Sequence, residues 1–308
     1  MKHSMEILRE AAAKNGPLCV GLDTDPSYLP EPLLKILGGK AEAVLEYNKE
    51  IIRRIAYDGS ACCCKVQIAY YEAMGLEGLR VYAETLRAIK GAGLTVISDV
   101  KRGDIADTAS AYARAHFSGD FKTDIITVNP YMGFDTLNPF VRWCKPTEGR
   151  GIFVLLRTSN PGMTDIEKLE LKSGGFVFEK VGEQLNRLSE DLKSHFPECE
   201  CSPVGAVVGC TEESDARAIR DAYPDIFFLI PGYGAQGGAA KVAATLLDKA
   251  GGTVNSSRGI LCAWKKDPDL ADKVESGTLC LKEIADSAAK AALAAKADLL
   301  SAKAALSL

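Results

Sequence analysis

The sequence predicts a (β/α)8 barrel, with all 308 residues in a single domain. Short apolar runs rich in Val and Ile alternate with longer segments of helical periodicity, and this alternation is typical of parallel strands joined by helical crossovers. There are eight such runs and no obvious interdomain linker, which favours a closed barrel over an open doubly wound sheet. The predicted strands are 18–23, 61–67, 95–101, 125–129, 152–157, 204–208, 227–231 and 253–256.

Helical periodicity fills the intervals between these strands. An extra helix at 3–14 precedes the first strand, and a last amphipathic helix covers 278–305. The longest irregular stretch, 158–175, follows the fifth strand, which places it at the carboxyl-terminal face where barrels build active sites. No Gly-x-Gly-x-x-Gly follows the first strand, which weakens a dinucleotide-binding interpretation. The helices predicted between strands are 41–57, 77–91, 106–117, 134–143, 176–194, 212–222 and 237–249.

Composition excludes several classes of partner and site. A net charge of −4 argues against a broad nucleic-acid surface, and no segment has the pattern of a membrane span or a secretory signal. Ten cysteines and three histidines contain no Cys-x-x-Cys pair, which argues against a structural zinc site. Cys62–Cys64 are predicted to be small buried hydrophobic residues, and Cys199 with Cys201 a surface pair. We therefore expect a reduced, cytoplasmic protein.

Charged residues stand at the ends of the second and third predicted strands. The third ends in Asp99-Val100-Lys101, and because side chains alternate along a strand, Asp99 and Lys101 are expected to point the same way. Lys65 lies near the end of the otherwise apolar second strand, so neighbouring strands would bring it close to both. The alternative is an ion pair on the rim. Charges at strand ends on this face are typical of catalysis, which favours the functional interpretation.

The loops after the seventh and eighth strands predict a phosphate site. The first loop, 231–238, reads PGYGAQGG, and its glycines, Gly234 and Gly237 among them, let backbone amides approach a ligand closely. Arg258 in the second loop can offer a planar donor fork to phosphate. A glycine-rich loop alone is usually only a turn. These two loops together are the usual phosphate site of this barrel, which favours the ligand interpretation.

Asp23 and Ser159 are polar residues that follow the first and fifth strands. In each case the commoner role is a turn or a helix cap, since Asp and Ser often precede proline in such positions. On the same face as the charged cluster they also become candidates to bind sugar hydroxyls and a polar ring. The residues alone leave both interpretations open.

The motifs around these residues resemble the orotidine 5′-phosphate decarboxylase family, and within it the longer bacterial branch. The resemblance extends from Leu18 to about Arg258 and includes an Asp-x-Lys-x-x-Asp signature at 99–104 that related sugar-phosphate enzymes share. Val66 departs from the pattern, which has proline there, and this concerns only local backbone stiffness. The other matching segments are LDTD at 22–25, KVQIAYYE at 65–72, TSNPG at 158–162 and PGYGAQGG at 231–238.

The resemblance implies a catalytic role for each member of the charged cluster. Lys101 would be the general acid that protonates C6 of the pyrimidine after carbon dioxide leaves. Asp99 and Asp104 would flank the departing carboxylate, and Lys65 would hold the charges together and touch the ribose. In the family Asp104, with Thr108 nearby, reaches into the neighbouring subunit's site, which implies a homodimer with shared active sites.

The resemblance also implies how the substrate, orotidine 5′-monophosphate, is bound during the synthesis of uridine 5′-monophosphate in de novo pyrimidine biosynthesis. Asp23 would bind the ribose hydroxyls, Ser159 the pyrimidine, and Gln236 with Arg258 the phosphate. No cofactor and no metal ion are implied, because fixed charges can stabilise the carbanion that forms at C6.

Three other functions remain open. One is a magnesium-dependent sugar-phosphate decarboxylase or aldolase on the same scaffold, although those relatives typically have an acidic residue where Lys65 stands. Another is an aldolase that forms a Schiff base through Lys65. The third is a non-catalytic protein that binds a phosphorylated ligand, against which the cost of an idle cluster of buried charge argues.

Overall fold

The computed structural model describes residues 2–209, 213–234 and 240–306. Eight parallel strands pair in chain order and close into a barrel, because the last strand also pairs with the first. The predicted fold is confirmed, and each predicted strand overlaps an observed one. The strands are β1 (Leu18–Gly21), β2 (Cys63–Gln67), β3 (Thr95–Arg102), β4 (Ile125–Val128), β5 (Gly151–Arg157), β6 (Val204–Val208), β7 (Phe228–Ile230) and β8 (Gly252–Ser256).

Helices surround the barrel. The first helix precedes β1, and the last, which is the longest described, packs against the helices Lys40–Asp58 and Ala240–Leu246. None of the described helices is long and apolar enough to cross a membrane. The helices are α1 (Ser4–Asn15), α2 (Glu31–Ile36), α3 (Lys40–Asp58), α4 (Ile68–Glu72), α5 (Gly75–Gly91), α6 (Ala106–Phe117), α7 (Asn138–Val141), α8 (Val177–Ser194), α9 (Glu213–Ala222), α10 (Ala240–Leu246), α11 (Arg258–Leu261), α12 (Ala271–Ser276) and α13 (Leu281–Leu306).

The predicted helix at 134–143 is wrong in extent. Its α-helical part is α7, which lies between the 3-10 turns Phe134–Leu137 and Arg142–Cys144. Pro139 has no amide hydrogen and so interrupts a regular helical hydrogen-bond ladder through this segment. Two other predicted helices begin outside the described residues, at 212 and at 237–239.

The barrel interior is filled by alternate strand residues. Residues of one parity, such as Cys63 and Ile97, form an interior cluster, whereas residues of the other parity, such as Cys64 and Val96, pack against the helices. Side chains that alternate between faces produce these two layers. Met5 and Leu8 of α1 join the interior cluster, so α1 closes the amino-terminal end and leaves the opposite mouth for the site.

The cysteines are thiols with different surroundings. The nine that the structure describes are free, and Cys62–Cys64 are buried as predicted. The prediction that Cys199 and Cys201 form a surface pair is wrong, because both are buried. The Glu6 carboxylate of α1 accepts hydrogen bonds from the Cys201 amide at 3.0 Å and its thiol at 3.2 Å. The docking of α1 against this segment removes it from solvent.

Candidate active site

The carboxyl-terminal mouth of the barrel carries polar side chains above the apolar interior. The strand register pairs Gln67 of β2 with Asp99 of β3. Cys63, two residues before Lys65, belongs to the interior cluster, and so does Ile97, two residues before Asp99. Because strand side chains alternate between faces, Lys65 and Asp99 also point inward, one layer closer to the mouth.

Four side chains of alternating charge form a continuous array across this mouth, and we call Asp23, Lys65, Asp99 and Lys101 the charge array. Lys65 Nζ lies 3.0 Å from Asp23 Oδ1 and 3.1 Å from Asp99 Oδ2. Lys101 Nζ lies 2.6 Å from Asp99 Oδ1. The Lys65 side chain is 5% exposed and that of Lys101 is 46% exposed. The array therefore ends in an accessible ammonium group beside a buried carboxylate.

Opposite charges in the array keep Lys65 and Asp99 in the charged form. Burial alone would raise the pKa of Asp99, but the Lys65 and Lys101 ammonium groups outweigh it and hold that pKa well below its usual range. Burial alone would lower the pKa of Lys65, but Asp23 and Asp99 outweigh it and raise the pKa above its usual value. Lys65 and Asp99 are therefore ionised at neutral pH, as opposite neighbours favour.

A bulge in β3 determines where Lys101 lies relative to Asp99. The register with β4 shifts between Ser98 and Arg102, and Lys101 has a left-handed backbone with φ of 42°. For a residue other than glycine this conformation costs about 1–3 kcal/mol, which surrounding contacts must offset. Strict alternation would have given Lys101 the same direction as Asp99 in a regular strand. The structure brings the two together by a bulge.

All four acceptor directions of the Asp99 carboxylate are occupied. Besides the two lysines, Gln67 Nε2 donates to Oδ2 at 3.0 Å and Thr127 Oγ1 donates to Oδ1 at 2.8 Å. Gln67 and Thr127 are not among the sequence-predicted site residues. Their signal in the sequence is positional, because each lies two residues beyond an inward-facing interior residue. Such saturation fixes the orientation of the carboxylate.

Asp23 is oriented from β8 by residues whose role the sequence analysis also missed. Ser257 Oγ donates to Asp23 Oδ2 at 2.7 Å, and Asn255 Nδ2 donates to Ser257 Oγ at 3.1 Å. A Cβ atom on Gly21 would lie 2.0 Å from Ser257 Oγ. Glycine at the end of β1 therefore makes room for the hydroxyl that holds Asp23.

A cavity of about 270 Å³ opens beside the charge array. It reaches from the inward-facing carboxylates to the loops after β7 and β8, so it connects the charge array to the predicted phosphate site. Residues that line it include Asp23, Lys65, Asp99, Tyr233, Ser257 and Arg258.

The residues that the structure describes include only part of the predicted phosphate site. Arg258 begins α11 and is exposed, and its guanidinium makes no hydrogen bond or ion pair within the described residues. Gly234 has φ of 78°, a conformation that favours glycine. Gln236 and Gly237 lie outside the described residues. Arg258 is thus an accessible donor at the edge of the cavity.

Ser159 follows β5 and is half-buried. A Cβ atom on Gly209, just after β6, would lie 2.8 Å from Ser159 Cβ and 3.2 Å from Pro231 Cγ. Gly209 therefore lets the Ser159 segment approach the start of the loop after β7. The structure places Ser159 at the same mouth, but not among the residues that line the cavity.

Asp104 and Thr108 are not brought into the charge array of their own chain. The Asp104 carboxylate accepts from the Ile105 amide at 2.8 Å and makes no ion pair with any described residue. Thr108 is exposed, and Ile105 between them is 59% exposed. Ile105 and Thr108 therefore face outward after β3, and Asp104 beside them is half-buried.

The sequence of this chain matches those of known proteins over most of its length. The profile of the orotidine 5′-phosphate decarboxylase / HUMPS family matches residues 16–269. An orotidine 5′-phosphate decarboxylase of Clostridium novyi is 52% identical over 84% of this chain and 88% of its own length. A protein of the same name from Clostridium tetani is 50% identical over 85% of this chain and 89% of its own.

Solved structures lead to the same family. The OMP decarboxylase of Leishmania donovani is 29% identical with a TM-score of 0.65, over 93% of this chain and 98% of that one. The UMP synthase of the same organism is 30% identical with a TM-score of 0.68, over 94% of this chain, and the chain spans 57% of its length. The chain described above therefore belongs to the orotidine 5′-phosphate decarboxylase / HUMPS family.

Proposed function

We propose that this chain decarboxylates orotidine 5′-monophosphate to uridine 5′-monophosphate in de novo pyrimidine biosynthesis. The observation that carries the proposal is the charge array, in which the Lys101 ammonium lies 2.6 Å from the ionised Asp99 carboxylate at the barrel mouth. Curated relatives near 50% identity are named for this activity. The nine cysteines that the structure describes are free, which fits a reducing compartment, and we place the enzyme in the cytoplasm.

The substrate spans the cavity from phosphate to pyrimidine. Its phosphate lies against Arg258, the glycine-rich loop and Gln236. Its ribose hydroxyls bind Asp23 and Lys65, whose side chains are already oriented by Ser257 and Asp99. Ser159 binds the pyrimidine from the loop after β5. The Arg258 guanidinium has no partner among the described residues, and it supports this orientation because it is a planar donor with capacity for a bidentate phosphate contact.

The chemical step is a direct exchange of carbon dioxide for a proton at C6. The bond between C6 and the carboxylate carbon breaks, carbon dioxide leaves, and the electron pair remains on C6. Lys101 Nζ gives a proton to C6, and the resulting neutral amine regains a proton from solvent. The preorganised ammonium stabilises the developing charge without the reorganisation that water would need. The reaction then requires no cofactor or metal ion.

Asp99 raises the energy of the bound substrate before the reaction. Its ionised carboxylate lies where the substrate carboxylate must approach, and two like charges at short distance repel. The remote phosphate contacts offset this unfavourable approach with binding energy. As carbon dioxide leaves, the repulsion disappears, so the contribution favours the transition state over the ground state.

The complete site includes residues of a second subunit in a homodimer. Asp104 has no ion pair with a described residue of its own chain, and the neighbouring Ile105 is 59% exposed. Asp104 and Thr108 of the partner subunit enter the site, where Asp104 adds a second carboxylate near the departing group. An exposed apolar residue beside a carboxylate that pairs with no described cation is suited to such a contact.

The main alternative function is a magnesium-dependent reaction on a sugar phosphate. It is disfavoured by Lys65, a cation where a metal site needs an oxygen ligand. The test adds orotidine 5′-monophosphate to the purified protein and follows its ultraviolet absorbance, with and without a chelator. We expect equal turnover in both samples. No turnover, or turnover that depends strictly on magnesium, would overturn the proposed function.

A further inference from the structure

Three residues of β3 lie opposite the single β4 residue Thr127. The register pairs Ser98 with Ile126 and Arg102 with Val128, so the intervening β3 residues form a bulge. In a bulge the extra residues lose their regular ladder partners. The amide groups that lose these partners therefore need other acceptors.

The Thr127 hydroxyl oxygen is the acceptor for two of these amides. Its Oγ1 accepts hydrogen bonds from the amides of Val100 at 3.0 Å and Lys101 at 2.9 Å, and donates to Asp99 Oδ1 at 2.8 Å. A hydroxyl has one donor and two acceptor lone pairs, so its full capacity is used. Because Thr127 is 1% exposed, bulk water does not compete for these bonds.

The three bonds converge on the geometry of the chemical step. Asp99 Oδ1, which accepts from Thr127, is also the atom that lies 2.6 Å from Lys101 Nζ. The Lys101 amide is held in the left-handed backbone from which that ammonium extends. One hydroxyl therefore holds both the carboxylate and the backbone of the residue paired with it.

We propose that Thr127 is a positioning residue for proton transfer, acting through the β3 bulge. This inference rests on the proposed function, because its catalytic consequence concerns the Lys101 proton. Valine in its place keeps the shape but leaves the two amides without their acceptor and removes one of the two donors to Asp99 Oδ1. Serine keeps the hydroxyl and loses only a methyl group. The two substitutions separate hydrogen bonding from packing.

The kinetic test compares Thr127→Val and Thr127→Ser with the wild type on orotidine 5′-monophosphate. Loss of a hydrogen bond to a charged group predicts that Thr127→Val lowers kcat by about 10- to 100-fold while KM changes by less than about threefold. Thr127→Ser should stay within about threefold of the wild type in both constants. A near-normal kcat in Thr127→Val, or an equal loss in Thr127→Ser, would overturn the proposal.

A control and a second measurement keep the outcome clear. Thr123 is buried and its hydroxyl donates to the Val96 carbonyl at 3.1 Å, away from the charge array. Thr123→Val should therefore leave kcat unchanged. Amide hydrogen exchange of Val100 and Lys101 should be at least about tenfold faster in Thr127→Val and unchanged in Thr127→Ser. An inactive wild type would refute the proposed function alone, whereas unaltered exchange in Thr127→Val would refute this inference.

Discussion

Lys101 Nζ lies 2.6 Å from Asp99 Oδ1 although the two residues are separated by one position in a bulged strand. The short separation depends on the left-handed backbone of Lys101, which directs its side chain back toward the carboxylate. A proton donor is thus held beside a fixed negative charge at the mouth of the barrel.

A shared active site predicts activity in mixed dimers. Lys101→Ala removes the proton donor, and Asp104→Ala removes the carboxylate that enters the partner's site, so each variant alone should be nearly inactive. When the two are mixed and allowed to exchange subunits, some mixed dimers contain one intact site. Activity should return to about a quarter of the wild-type value, as random pairing gives one intact site in half of the dimers. Mixed dimers that form without activity would contradict the shared site.

If Arg258 binds the phosphate of the substrate, its side chain should contribute to kcat/KM only for substrates that carry that phosphate. Truncation of Arg258 to Ala should lower kcat/KM by the equivalent of about 2–5 kcal/mol, as when one partner of a buried charge pair is removed. Closure of a loop over the phosphate would make this loss appear in kcat as well as in KM.

Orotidine without its 5′-phosphate is the control for Arg258. The same truncation should change kcat/KM little for this substrate, because the group that Arg258 binds is already absent. The measurement is kcat/KM for both substrates in the wild type and in Arg258→Ala. Equal losses would show that Arg258 supports the fold and does not hold phosphate.

His116 predicts a loss of stability in mild acid. It is buried, and burial first, then the Arg102 cation, lower its pKa to about 4, below the unfolded value near 6.5. Above pH 6.5 it is neutral in both states, so its contribution is fully present there. As the pH falls from 6.5 to 4, only the unfolded state gains a proton, so the free energy of unfolding falls, by up to about 3 kcal/mol in all.

The measurement for His116 is denaturant unfolding as a function of pH. His116→Gln should reduce the slope of the unfolding free energy between pH 6.5 and 4 by up to about 1.4 kcal/mol per pH unit. His195, which is exposed, supplies the matched control in His195→Gln. An identical slope in the wild type and His116→Gln would show that burial of the neutral imidazole does not control acid stability.

The sequence predicts the barrel and the strand-end charges because both depend on local patterns. Alternation of apolar runs with helical segments determines the order of elements, and the position of Lys65 and Asp99 at strand ends determines the mouth. The bulge could not be predicted, since Asp99-Val100-Lys101 has no glycine or proline and resembles a regular strand. The Thr127 hydroxyl that accepts from its amides lies 26 residues beyond Lys101.

Other contacts were missed for the same physical reason. A hydroxyl such as Ser257, which orients Asp23, cannot be told from an ordinary turn residue until distant segments meet. The burial of Cys199 and Cys201 depends on α1, which lies almost two hundred residues earlier. Long-range contacts of this kind carry no local signature. The roles of Gln236, Ser159 and Asp104 came from the family resemblance and stay predictions.

The central claim is that the Lys101 ammonium gives the proton that replaces carbon dioxide, and the kinetics of Lys101→Ala test it most directly. The variant should still bind uridine 5′-monophosphate, because the phosphate and ribose contacts remain. Its turnover of orotidine 5′-monophosphate should fall by about 100- to 10,000-fold. Lys101→Ala that binds the product and still turns over substrate near the wild-type rate would contradict the account.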